Sequence, residues 1–125
     1  MSVIVWDGRS LATDSQCSAG DVGYFGRKLW LRDHPEHGRI LAACIGARAV
    51  GLMVVDWYLA GADPAAWPSG LRGEDVEPVV FVLPTGQVFE VTVYPVPVET
   101  TGPRSWGSGR KLALGALAMG ADAVQ

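Results

Sequence analysis

Charge is scarce in this chain. Only 18% of its 125 residues are Asp, Glu, Lys or Arg, and 13 acids face 10 bases. A net charge of −3 leaves no basic excess, which argues against a nucleic-acid partner. Cysteine is scarce too. Cys17 and Cys44 are the two present, and neither has a C-x-x-C neighbour, so neither a zinc site nor a disulfide framework is indicated. No apolar run reaches the roughly 18 residues of a membrane span. The opening residues MSVIVWD carry no basic stretch and meet an acid at Asp7, unlike a secretory signal. The expectation is a cytoplasmic protein with no nucleic acid and no membrane as partner. Repeats and low-complexity tracts are missing as well.

What is present is apolar and turn-rich. Hydrophobic residues make up 49%, enough for a real core in one domain over 1–125. Glycine (16) and proline (8) together are about a fifth of the chain, which favours short strands over a helix bundle. Residues 2–6 read as a β-branched strand. Asp7-Gly8 then signals a tight hairpin with both turn residues at positive φ, leading to a second strand over 10–15. Extended segments over 21–31 and a turn at DHPEHG, 33–38, precede a buried-type strand over 39–45. Apolar spacing at Ala47, Val50, Val54, Trp57 and Tyr58 predicts a buried helix over 46–60, closed by Gly61 as its C-cap. A loop over 63–75 should tuck Trp67 beneath it. Strands over 76–83 and 87–94 form a second hairpin around Pro84-Thr85-Gly86, with Val88 and Glu90 on one face and Phe89 and Val91 on the other. Pro95 and Pro97 keep the next stretch out of a central strand position. A short strand over 104–108 and an Ala-rich helix over 109–124 complete an α+β order.

Several residues could carry chemistry. Ser2 follows the initiator Met1, and a small residue there suits methionine removal. A free N-terminal serine holds a hydroxyl nucleophile and an amine that ionises near neutral pH, so one residue can supply nucleophile and base. Many chains begin Met-Ser, and retained Met1 would leave Ser2 without its amine. A lysine such as Lys28, beside such a nucleophile, lowers its pKa, and an acid such as Asp14 can hold that lysine in place. Taken singly, Asp14 and Lys28 read as solvated surface charges. Ser108, in Trp106-Gly107-Ser108-Gly109, reads singly as a helix N-cap. His34-Pro35-Glu36-His37 has the residue types of a metal cluster, but Pro35 and Gly38 make an exposed turn the better reading. Trp6, Trp30, Trp57, Trp67 and Trp106 read as core or rim packing. Cys17 has no base beside it and is no nucleophile candidate.

Taken in order, these pieces resemble the proteasome-like N-terminal nucleophile (Ntn) hydrolases, and within them the bacterial peptidase subunit HslV and its small phage-borne relatives. Ser2-Val3-Ile4-Val5 resembles the opening strand with its nucleophile. Leu11-Ala12-Thr13-Asp14-Ser15 resembles the second strand with its aspartate, and Arg27-Lys28-Leu29 the lysine segment. Ala42-Ala43-Cys44-Ile45-Gly46-Ala47 resembles the strand-to-helix turn whose glycine amide serves the oxyanion hole. Trp106-Gly107-Ser108-Gly109 and the Ala-rich helix resemble the segment with the accessory serine. The resemblance covers most of the chain through five short motifs.

It implies an αββα four-layer sandwich. It also implies a peptidase using Ser2 as nucleophile, Lys28 and Asp14 to tune it, Gly46 for the oxyanion and Ser108 as accessory group. No cofactor and no metal are implied. The implied partners are copies of the same chain in a ring, a peptide or protein substrate, and an ATPase unfoldase. Three features depart from the family. Its usual nucleophile is Thr, the turn after Gly46 reads Ala47-Arg48-Ala49-Val50, and family members run on past the last helix into further strands. The chain therefore reads as a minimal or C-terminally truncated version. The alternative is an inactive, phage-encoded descendant with a structural or partner-binding role.

Overall fold

A computed structural model describes residues 3–13, 16–19, 22–25, 28–68, 70–71, 77–92, 94–107 and 110–120. Its strands are β1 (Val3–Trp6), β2 (Leu11–Thr13), β3 (Gln16–Ala19), β4 (Val22–Phe25), β5 (Leu29–His34) and β6 (Gly38–Cys44) before helix α1 (Arg48–Leu59). A single 3-10 turn (Pro64–Ala66) follows, then β7 (Val79–Val82), β8 (Val88–Val91), β9 (Val98–Thr100), β10 (Arg104–Gly107) and helix α2 (Arg110–Ala118). All pairings are antiparallel. They give a three-stranded sheet β10-β1-β2, a ribbon β3-β4 and a five-stranded sheet β5-β6-β7-β8-β9.

The first hairpin forms where the sequence places it, but by a different turn. Trp6 pairs with Leu11, so the connection spans four residues, 7–10. Of the turn residues Gly8 alone has positive φ. The Asp7 carboxylate accepts from the backbone N–H groups of Arg9 and Ser10 at 2.7 Å each. An Asx-type side-chain turn thus replaces the expected tight two-residue turn.

Two apolar clusters flank the five-stranded sheet. On one face α1 packs Val54, Val55, Trp57 and Tyr58 against Ile40, Ala42, Cys44, Val79, Phe81 and Val91. On the other, Ile4, Trp6 and Trp106 of the three-stranded sheet meet Ala43, Ile45, Val80, Val82 and Val88. The alternation expected of β8 holds: Phe89 and Val91 join the helix side, and Val88 the sheet-to-sheet side. Glu90, on the face of Val88, accepts from Trp106 Nε1 at 2.5 Å and pairs with Arg104 at 3.3 Å. The two sheets are thereby joined by a polar contact as well as by apolar packing.

The expected αββα four-layer sandwich is not what forms. The described chain holds far more strand than helix, and its two helices are short, with 12 and 9 residues. One helix lies on the five-stranded sheet, and α2 packs against β10 and β1. Single short helices do not make layers. The chain itself limits them. After α1, Ala62 N–H donates to Trp57 O and Gly61 N–H to Tyr58 O, a Schellman stop in which Gly61 sits at φ +116. Ala60 is therefore the C-cap, with Gly61 one place beyond it. The helix expected over 109–124 ends at Ala118, and Gly120 turns the chain at φ +97. A strand is added instead: β9 pairs with β8 at the sheet edge, just after Pro95 and Pro97.

Candidate functional site

The expected site residues divide between described and undescribed positions. Ser2, Asp14 and Ser108 lie outside the described residues. Their chain neighbours Val3, Thr13 and Gly107 meet at one end of the three-stranded sheet. Val3 pairs with Gly107, and Ile4 pairs with both Trp106 and Thr13.

Lys28 and Gly46 are described, and both lie at the same end of the five-stranded sheet. Leu29 pairs with Ala43, and Cys44 N–H donates to Lys28 O at 3.0 Å. Gly46 follows two residues after Cys44, in the short link to α1. The cluster between the sheets contains Leu29, Ala43 and Ile45 beside these two residues, and Ile4 and Trp106 beside the Val3–Gly107 end. Lys28 is only 1% exposed, among the largest fully buried side chains of the described residues. The reading of Lys28 as a solvated surface charge is thus overturned. Removing an ammonium from water is costly, and such lysines are kept where other groups hold them.

Gly46 adopts φ +75, a left-handed conformation that a side chain resists. A Cβ at this position would stand 2.7 Å from both Cδ and Oε2 of Glu77, so the carboxyl of Glu77 fills the space that Gly46 leaves open. Sequence reasoning missed Glu77. It lies 31 positions from Gly46, and no motif links the two. A second glycine sets the helix in place. A Cβ on Gly51 would lie 2.6 Å from both Cβ and Sγ of Cys44, so α1 approaches β6 closely only because Gly51 has no side chain.

The HPEH segment forms a turn, but not a wholly exposed one. His34 pairs with Gly38 at the far end of β5, and it is 8% exposed. Its Nδ1 accepts from the N–H groups of Glu36 at 3.0 Å and His37 at 3.3 Å, so this ring holds the turn. No set of three or more His, Cys, Asp or Glu among the described residues is arranged to hold a metal ion. Trp6, Trp30, Trp57 and Trp106 are buried, and Trp67 packs edge-on against Trp57 with ring centroids 4.8 Å apart. No described helix is long and apolar enough to cross a membrane.

No protein-family model and no curated protein matches the sequence. Solved structures do. A mutant of Anbu from Hyphomicrobium sp. strain MC1 matches with a TM-score of 0.65 at 15% identity, over 98% of this chain and 66% of that one. Anbu from Yersinia bercovieri, described as an ancestral beta-subunit, matches with a TM-score of 0.61 at 15% identity, over 98% and 67%. BPH from Thiobacillus denitrificans matches with a TM-score of 0.61 at 18% identity, over 98% and 82%. The chain thus spans about two thirds of the length of the Anbu proteins. These likenesses correct the expected HslV branch, since the structures matched are Anbu and BPH. At these identities the common property is the backbone arrangement: this chain has an Anbu-like fold.

Proposed function

We propose that this chain is a proteasome-like Ntn hydrolase that cleaves peptide bonds in the cytoplasm, working as a self-associating subunit. In this reading Met1 is removed. The α-amine of Ser2 takes the proton from Oγ, and Oγ bonds to the scissile carbonyl carbon. Gly46 N–H stabilises the oxyanion. The C–N bond then breaks as the amine returns the proton to the leaving group, and water hydrolyses the resulting ester. Lys28 lowers the pKa of the reacting groups, Asp14 orients Lys28, and Ser108 positions the amine or a water. One observation carries the reading: a lysine 1% exposed is bonded through its backbone to Cys44, two residues before the left-handed glycine that leads into α1. The Anbu-like fold supports it, and the description of one Anbu as a beta-subunit supports self-association. An unfoldase that feeds such an assembly belongs to the same reading.

The contact between Glu77 and Gly46 favours a second reading, an inactive descendant with a structural or partner-binding role. A carboxylate packed against Gly46 opposes an oxyanion formed at its N–H, so in the first reading Glu77 must move aside during catalysis. The test combines intact mass with hydrolysis of fluorogenic peptides. Loss of one methionine, with turnover abolished by Ser2→Ala, is expected. Retained Met1 with no turnover would hand the case to the second reading, and turnover indifferent to Ser2→Ala would overturn Ser2 as the nucleophile.

A further inference from the structure

A second candidate site lies at the other end of the five-stranded sheet. The tip of the β5–β6 hairpin, the C-terminal end of α1, and strand β8 with the segment before β9 border a half-open cavity of about 230 Å³. Its lining includes His34, Glu36, His37, Tyr58, Phe89 and Pro97. That is just below the range of about 300–1,000 Å³ usual for ligand pockets, so it suits a fragment-sized molecule.

The polar groups around it are specific. His34 Nδ1 accepts two backbone N–H groups, so the neutral ring carries its proton on Nε2 as a donor. Tyr58 is 5% exposed, and its ring stacks on Phe81 with centroids 3.9 Å apart. Burial raises the Tyr58 pKa, which keeps the phenol protonated. The rings of His34 and Tyr58 are 5.4 Å apart. Neither His34 Nε2 nor Tyr58 Oη has a hydrogen-bond partner among the described residues, and neither is sealed away from solvent. Two nearly buried rings that line one pocket therefore carry hydrogen-bonding atoms with no protein partner among the described residues. The Glu36 carboxylate on the same wall is an acceptor, while Phe89 and Pro97 offer apolar surface.

We propose that this cavity binds a small neutral carboxamide on a planar apolar body, its carbonyl oxygen held by His34 and Tyr58 and its N–H by Glu36. The donor pair alone would also suit a carboxylate, but Glu36 repels an anion. An apolar molecule without a carbonyl would cover both donors without pairing them, which costs the hydrogen bonds they make to water.

The experiment titrates the isotope-labelled full chain with millimolar benzamide, benzoate and toluene, and follows chemical shifts. Benzamide is expected to shift Tyr58, Ala62 and Phe89 and to bind more tightly than the other two. Tyr58→Phe keeps the ring and its stack and deletes one hydroxyl; it should weaken benzamide about two- to tenfold. Glu36→Ala, at an exposed turn position, should erase the preference for benzamide over benzoate. The proposal fails if benzamide produces no shifts at the cavity, or if toluene or benzoate binds as tightly as benzamide. It fails equally if Tyr58→Phe leaves benzamide binding unchanged, or if Glu36→Ala keeps the preference over benzoate.

Discussion

Six residues of β5 separate two quite different polar environments. At the near end is Lys28, a cation taken almost wholly out of water, and at the same end Glu77 packs against Gly46. At the far end, about 20 Å along an extended strand, is His34, a ring that spends one nitrogen on its own turn and lines a half-open cavity. One sheet supports both. A buried charge demands surrounding groups that hold it. Buried neutral donors tolerate open space at a smaller cost, so the far end can keep a cavity.

The largest effect expected to sharpen this contrast is Lys28→Met. The substitution preserves the length of an apolar stem and deletes the cation. Peptide hydrolysis should fall about 100-fold or more if Lys28 tunes the nucleophile, while benzamide still shifts the far cavity. Hydrolysis at the wild-type rate would remove Lys28 from the chemistry. Loss of the benzamide shifts would mean that the two ends are not independent.

Gly51→Ala comes next. Its new Cβ would meet Cys44, whose N–H donates to Lys28 O, so strain reaches the near end first. Overpacking here should cost about 1–3 kcal/mol by denaturant unfolding. Removing the sulfur with Cys44→Ala should return part of that loss. Equal stability of wild type and Gly51→Ala would show that helix and sheet have room to separate.

The smallest effect is alkaline and belongs to the far end. The folded pKa of Tyr58 lies above its unfolded value near 10 because burial disfavours the phenolate. Its neutral form thus contributes stability that is complete below pH 10 and is lost as pH rises toward the folded pKa. In that window the unfolded chain has released a proton that the folded chain retains, a slope of about 1.4 kcal/mol per pH unit. Thermal melts from pH 9 upward should decline more steeply for wild type than for Tyr58→Phe. Parallel declines would mean that Tyr58 ionises equally in both states.

Much of the strand pattern was legible because it is local. The alternation of Val88, Phe89, Glu90 and Val91 sorts these residues onto two faces, and Pro84-Thr85-Gly86 marks its own hairpin. Gly61 announced the end of α1 within one position. Local signals also misled. The apolar, Ala-rich stretch after 109 reads as a longer helix than the one that forms, and three residues after two prolines become an edge strand because β8 offers them a free edge. Of the candidate site, the segment around Lys28 and the turn at Gly46 were visible as short motifs. Glu77 was not, since nothing near it in the chain marks it.

The sequence by itself determined where the chain turns and which residues alternate, because those preferences act within a few positions. It also settled the low charge and the shortage of cysteine. Only the tertiary structure decided that Lys28 and His34 are buried while Asp33 and Arg39 stay exposed. It alone brought Glu90 to Trp106 and Glu77 to Gly46. Burial and long-range pairing depend on how two sheets and a helix close over one another, and no short stretch of residues contains that information.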